Sequence, residues 1–232
     1  MTAPPAQHDD LLEQWRAWLE EIKHNVLALF HHREIFGKMQ DALVRQGSPH
    51  SGTFSRHYTK IYVDGASMAV RRLAKSEARN EQSISLAALI TAIGRNRDVL
   101  TAQRFVEMHL RDGVTVDERA HWRESALRTY ERDWGDGAGN LSAVRLAADA
   151  HDLVGQSMSV ADFANRTIAH IDKRGLVTTP TWGDLNQAID SIGEMFNRYS
   201  LLLSAASWAE LVPVIQGDWK DPFRSALFDQ TE

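Results

Sequence analysis

An all-α chain is predicted from three observations: apolar residues recur at three- and four-residue spacing almost throughout, no stretch sustains period-two alternation, and no Asn-Gly pair offers a hairpin turn. A single helical domain over residues 1–232 is expected, with 1–8 as a tail and 216–232 as a cap segment. A core of this size buries roughly 70–75% of the unfolded surface.

The first helix follows Pro4-Pro5, with Asp9 or Asp10 as its cap, and places Leu11, Leu12, Trp15, Trp18, Leu19, Ile22, Val26 and Phe30 on one stripe. It continues or bends at His31-His32 before Ile35, Met39 and Leu43, and stops at Gly47-Ser48-Pro49. A second helix is predicted from about Thr53 to Arg79 along Phe54, Ile61, Tyr62, Met68, Ala69 and Leu73. Ser83 or Ser85 caps a third through Leu86, Leu89, Ile90 and Ile93, closed by Asn96, and Thr101 to Leu110 is a short fourth. Asp117 to Trp134 is strongly charged with Trp122, Leu127, Tyr130 and Trp134 as its apolar stripe.

Gly135-Asp136-Gly137-Ala138-Gly139-Asn140 reads as a flexible, hinge-like loop. Leu141 to Val154 is helical again, and Ser157 or Ser159 is expected to cap a separate helix that carries the polar run Phe163 to Lys173. Gly175 to Pro180 turns the chain, and Thr181 opens a long last helix through Leu185, Ile189, Ile192, Met195, Phe196, Tyr199 and Leu203, extending towards Trp208. Asp218 to Phe223 reads as an aromatic cap on the bundle.

Composition narrows the function classes. Cysteine is absent, which excludes thiolate metal sites and cysteine nucleophiles and suits a reducing compartment. No signal peptide or bilayer-length apolar segment is readable, so a cytoplasmic protein without membrane contact is expected. The net charge of -5 argues against nucleic-acid binding driven by the global field and leaves local clusters. Arg71, Arg72, Lys75 and Arg79 form one, and Arg166, Lys173 and Arg174 another; the plain reading of both is a solvated helix face.

No cofactor is called for. Glu21-x-x-His24 and Glu118-x-x-His121 have a spacing that puts two ligands on one helix face, but neither pair lies on an evident apolar stripe. His31 and His32 are neighbours, about 100° apart on a helix, and cannot face one ion. The glycine loop lacks a Lys-Ser/Thr ending, and no Gly-x-Ser-x-Gly occurs.

The run Asn165-Arg166-(x)3-His170 is richer chemically. Asn165 offers donor and acceptor, Arg166 a fork of donors, and His170 an imidazole that titrates near neutrality. On an unbroken helix Arg166 and His170 lie about 40° apart in phase and can address one phosphate. The plainer alternative is a helix end whose cations complement its dipole.

Four blocks in order carry a family resemblance: Phe54-x-x-x-Tyr58-x-x-x-Tyr62-Val63-Asp64, Val70-Arg71-Arg72-Leu73, Ser83-Ile84-Ser85-Leu86-x-x-Leu89-Ile90, and Asn165-(x)3-Ala169-His170-Ile171-Asp172-Lys173. From about Phe54 to Tyr199 the chain resembles the abortive-infection U-type branch of the HEPN superfamily. The resemblance implies a HEPN-type helical bundle with extra helices that dimerises with two motif helices across one cleft. It also implies a metal-independent ribonuclease acting in phage defence or a toxin–antitoxin pair, with RNA and a cognate antitoxin or regulator as partners.

In such sites His170 would transfer the proton, Arg166 would stabilise the phosphate and Asn165 would orient it, with Arg71, Arg72, Lys173 and Arg174 touching RNA. The chain departs from the pattern at one point: the family's motif arginine falls on Ala164. Arg166 is two residues away, about 200° around a straight helix. Either the site is rebuilt around Arg166, or catalysis is lost and the fold serves binding. The homodimer is expected to use the motif helix and the stripe Ile189, Ile192, Phe196, Tyr199 and Leu201 to Leu203.

Overall fold

The computed structural model describes residues 5–46, 51–76, 83–110, 113, 115–169, 173 and 178–214. In chain order these form α1 (Pro5–Gln46), α2 (Ser51–Leu73), α3 (Leu86–Arg95), a 3-10 turn (Arg97–Val99), α4 (Ala102–His109), α5 (Val116–Asp133), α6 (Ala143–Phe163), a π-helical turn (Ala164–Ala169) and α7 (Trp182–Ser204). The fold is all-α, and no described helix is long and apolar enough to cross a membrane.

The helix α1 runs unbroken for 42 residues. Leu12, Trp15, Leu19, Ile22, Val26 and Leu29 are buried along its stripe. It continues past His31-His32 because apolar packing continues: Phe36 stacks on Tyr62 with ring centroids 4.0 Å apart and on Trp182 at 5.5 Å, and Met39 is buried. The expected tail is shorter than residues 1–8, since helix begins at Pro5, a residue well suited to a first turn. Asp9 pairs with Arg104 and His8 approaches Asp98 at 3.4 Å, so Asp9 and Asp10 lie within the helix rather than capping it.

The helix α2 stops at Leu73, short of the expected Arg79, which lies outside the described residues. Its buried face is Tyr62, Ala66, Val70 and Leu73, while Phe54 and Ile61, expected on the stripe, are exposed. Ser85 rather than Ser83 caps α3, and its hydroxyl also donates to the Lys75 carbonyl at 2.6 Å, tying the end of α2 to the start of α3. In α5, opened by a Thr115–Glu118 capping box, Ala126 and Tyr130 are buried, with Trp134 beyond its end. Trp122 and Leu127 face outward.

The glycine loop is a bonded turn. Asp136 accepts from the backbone N–H groups of Ala138 (2.8 Å) and Asn140 (3.1 Å), Gly135 bridges to Leu141, and the Gly139 carbonyl accepts from Ala102 at the start of α4 (2.9 Å). Gly137 and Gly139 adopt φ of 82° and 84°, which their missing side chains permit.

The separate motif helix expected after Ser157 or Ser159 is the end of α6 itself. Ser142 is its cap, Ser157 sits buried in its middle, and Leu146, Leu153 and Val160 carry one buried stripe through both serines. Ser and Thr cap only where the apolar periodicity breaks, and here it does not.

The helix α7, opened by a Thr181–Asp184 capping box, packs against α6, α1, α2 and α3. That central position corrects the expected dimer surface. Ile189, Ile192, Phe196, Tyr199, Leu202 and Leu203 are all 0% exposed within one chain and are core. The helix ends at Ser204, before Trp208, whose backbone N–H (2.7 Å) and carbonyl (3.0 Å) are both held by the Asn197 side chain. The cap segment expected at 216–232, with Asp218 to Phe223, lies outside the described residues.

Candidate functional site

The helix α6 changes its winding where the polar run begins, with Ala164 to Ala169 forming a single π-helical turn. Such a turn has about 4.4 residues per turn, so successive side chains step by about 82° instead of 100°. The unbroken α-helix expected from the sequence is therefore not formed at Arg166. Ala164 is 0% exposed and points into the core. Arg166, two residues further and turned by about 165°, is half-buried, with its Nε 3.2 Å from an Asp162 carboxylate oxygen one turn back.

Asn165 points a third way. The helix α2 packs along both α6 and the π turn, and Arg71 near its end reaches across to donate its Nε–H to Oδ1 of Asn165. The two residues are 94 apart in sequence. They line a groove of about 260 Å³ together with Lys75, Ser157, Met158 and Asp162. Lys75, two residues beyond the end of α2, is exposed.

Of the residues singled out from sequence, the structure brings Arg71 and Asn165 together. Arg166 belongs to the same turn but does not line this groove, Arg72 is exposed and lies outside it, and Lys173 sits in an exposed turn. His170 and Arg174 lie outside the described residues. Sequence reading passed over Ser157 except as a cap, and passed over Asp162 entirely. No local signal marks either, since both depend on where α2 crosses α6.

A larger cavity, about 690 Å³, opens between α1, α7 and the end of α5. Asp133, Asp190 and Glu194 line it, and Asp190 is engaged by Arg33 at 2.6 Å. Arg198 lines it too and Arg132 engages Asp133, so its charges are largely paired, and none of the residues singled out from sequence as site residues lies in it. Among the described residues no group of three or more His, Asp or Glu could hold a metal ion. Glu21, His24 and His121 are exposed, and the Glu118 carboxylate is spent on the Thr115 cap, whose hydroxyl and backbone N–H hold it below the usual carboxylate range.

The HEPN family described as AbiU2 matches residues 12–221. The chain belongs to the AbiU2 family. The match runs from the first buried turn of α1 past the end of α7, so the AbiU2 unit includes every helix that shapes the groove. No curated protein and no solved structure gives a match. In this AbiU2 chain Ala164, where the sequence reading sets the HEPN motif arginine, is buried, and the guanidinium that meets Asn165 comes from α2.

Proposed function

We propose that this AbiU2 protein acts on single-stranded RNA at the groove between α2 and the π turn, as a metal-independent endoribonuclease. The observation that carries the reading is the Arg71–Asn165 contact, a cation and a motif amide from distant helices meeting beside a second cation, Lys75. Guanidinium and amide N–H groups are the donors that phosphate oxygens take.

The chemistry falls to His170. Its imidazole accepts the ribose 2′-hydroxyl proton, the 2′ oxygen bonds to phosphorus, the bond to the 5′ oxygen breaks, and that oxygen takes a proton from the imidazolium. The products are a 2′,3′-cyclic phosphate and a 5′-hydroxyl. Asn165 and the guanidinium that meets it stabilise charge on the phosphoryl oxygens. A second copy, motif helix facing motif helix, completes the cleft, and in the cytoplasm an antitoxin or regulator would silence an effector of phage defence by covering it.

One observation favours a second reading, RNA binding without cleavage: Ala164 supplies no charge and is sealed in the core. The deciding measurement incubates wild type and His170→Ala with end-labelled single-stranded RNA in EDTA. Cleavage with cyclic ends that falls by about 10²–10⁴ in His170→Ala supports the ribonuclease. Retained binding with no cleavage by either protein selects the binding module.

A further inference from the structure

We propose that Arg71 on α2 is the phosphate-contacting guanidinium of this groove and takes the place of the motif arginine that Ala164 lacks. The inference rests on the groove being an RNA site and assigns the group that makes it one.

Three positions compete for the role. At 164 a side chain points into the core, with 0% exposure, and an arginine there would be a buried charge. At 166 the guanidinium is paired with Asp162, a wall of the groove, and does not itself line it. Arg71 alone of the three lines the groove and touches the motif amide.

The contact also sets the geometry. Arg71 gives its Nε–H to Asn165 Oδ1, which fixes the plane of the fork while its terminal nitrogens carry four further N–H donors. Asn165, having accepted at Oδ1, keeps the two N–H donors of its amide. The pair is thus a compound donor surface suited to two oxygens of one phosphate. Ser157 lines the same groove, and its hydroxyl is buried without a hydrogen-bond partner among the described residues. Lys75 adds a second cation at the edge.

Such a substitution across helices preserves charge at the motif without requiring it in the motif. A lysine at 71 would keep the charge and lose the fork, so the two can be separated experimentally.

The test reads binding and cleavage separately on full-length wild type, Arg71→Ala, Arg71→Lys and Arg166→Ala, each checked for an unchanged melting temperature. Affinity is measured by fluorescence anisotropy on a 2′-fluoro single-stranded RNA, which cannot be cleaved by the 2′-hydroxyl, over a salt series. Arg71→Ala is expected to weaken binding about tenfold and to lower the salt slope by about one, with cleavage of ordinary RNA in EDTA down about 10²–10³. Arg71→Lys should recover the slope without recovering cleavage. Arg166→Ala should stay within about twofold in affinity.

Arg71→Ala within twofold of wild type on both readouts, or a larger loss for Arg166→Ala, overturns the proposal while the ribonuclease reading stands. A wild type that binds and does not cleave sinks the ribonuclease reading, and the affinity and slope of Arg71→Ala then decide the role of Arg71 alone. A wild type that neither binds nor cleaves overturns both.

Discussion

The hydroxyl of Tyr199 on α7 donates to a carboxylate oxygen of Asp149 on α6 at 2.8 Å, inside the core. Arg198 donates to the other oxygen of the same carboxylate at 3.0 Å and to the Asp133 carbonyl at the end of α5. The Asp149 carboxylate, only 7% exposed, therefore joins α6 to α7, and Arg198 extends the link to the end of α5. The motif turn is the continuation of α6, so this network helps to fix where the groove forms.

Removing Asp149 leaves Tyr199 without its acceptor and Arg198 with the Asp133 carbonyl alone. Asp149→Ala is expected to cost about 2–4 kcal/mol and Tyr199→Phe about 1.5–3 kcal/mol, with a clear coupling energy in the double variant by urea unfolding. Burial raises the Asp149 pKa above its ordinary 3.8, against the opposing pull of Tyr199 and Arg198. A raised pKa means that the native state holds the proton more tightly, so this group's contribution is full below the unfolded pKa and is lost as pH rises through the folded one. The stability gap between wild type and Asp149→Asn should narrow from pH 3 towards neutrality. A gap that widens would show the paired, ionised form to be the favoured one.

Ala164→Arg would supply the arginine that the sequence resemblance expects at 164, and should not give a working site. With the site 0% exposed, the substitution buries a charge and is expected to lower stability by more than about 3 kcal/mol or to prevent folding. A thermal melt decides it: a variant melting within a few degrees of wild type means that position 164 can turn outward.

Where α1 crosses α7, a Cβ built on Gly193 would lie 2.4 Å from the tip of the Phe30 ring and 2.9 Å from Leu211 Cδ1. Helix propensity favours alanine by about 1 kcal/mol, and overpacking opposes it by about 1–3 kcal/mol. Gly193→Ala should therefore destabilise wild type and become stabilising in a Phe30→Leu background. Equal effects in both backgrounds would mean that Phe30 is not the obstacle.

Along α2 the aromatic ladder divides into structural and superficial rungs. Phe36 lies between Tyr62, Tyr58 and Trp182, whereas Phe54 meets Tyr58 at 5.9 Å and is 48% exposed. Phe36→Ala should cost about 2 kcal/mol and Phe54→Ala less than about 0.5 kcal/mol. Similar losses for the two would show that the outer end of the ladder is covered in solution.

Helix class, most helix starts and the existence of a long apolar stripe on α7 were legible because they are local: Ser85, Thr101 and Thr181 cap where polar oxygens meet the start of apolar periodicity, and the 3.6-residue repeat of α1 needs no partner to be seen. The AbiU2 family was legible too, from blocks whose order survives in the linear chain. Which face of α7 is core and which is surface was not legible, because an apolar stripe looks the same whether a second copy or α6, α1, α2 and α3 cover it. Nor was the π turn, since one wider turn leaves composition unchanged while rotating Asn165 and Arg166 relative to the rest of α6. Tertiary structure alone decided that Ala164 faces inward and that Arg71, 94 residues away, meets Asn165, because that contact follows from the line along which α2 packs on α6.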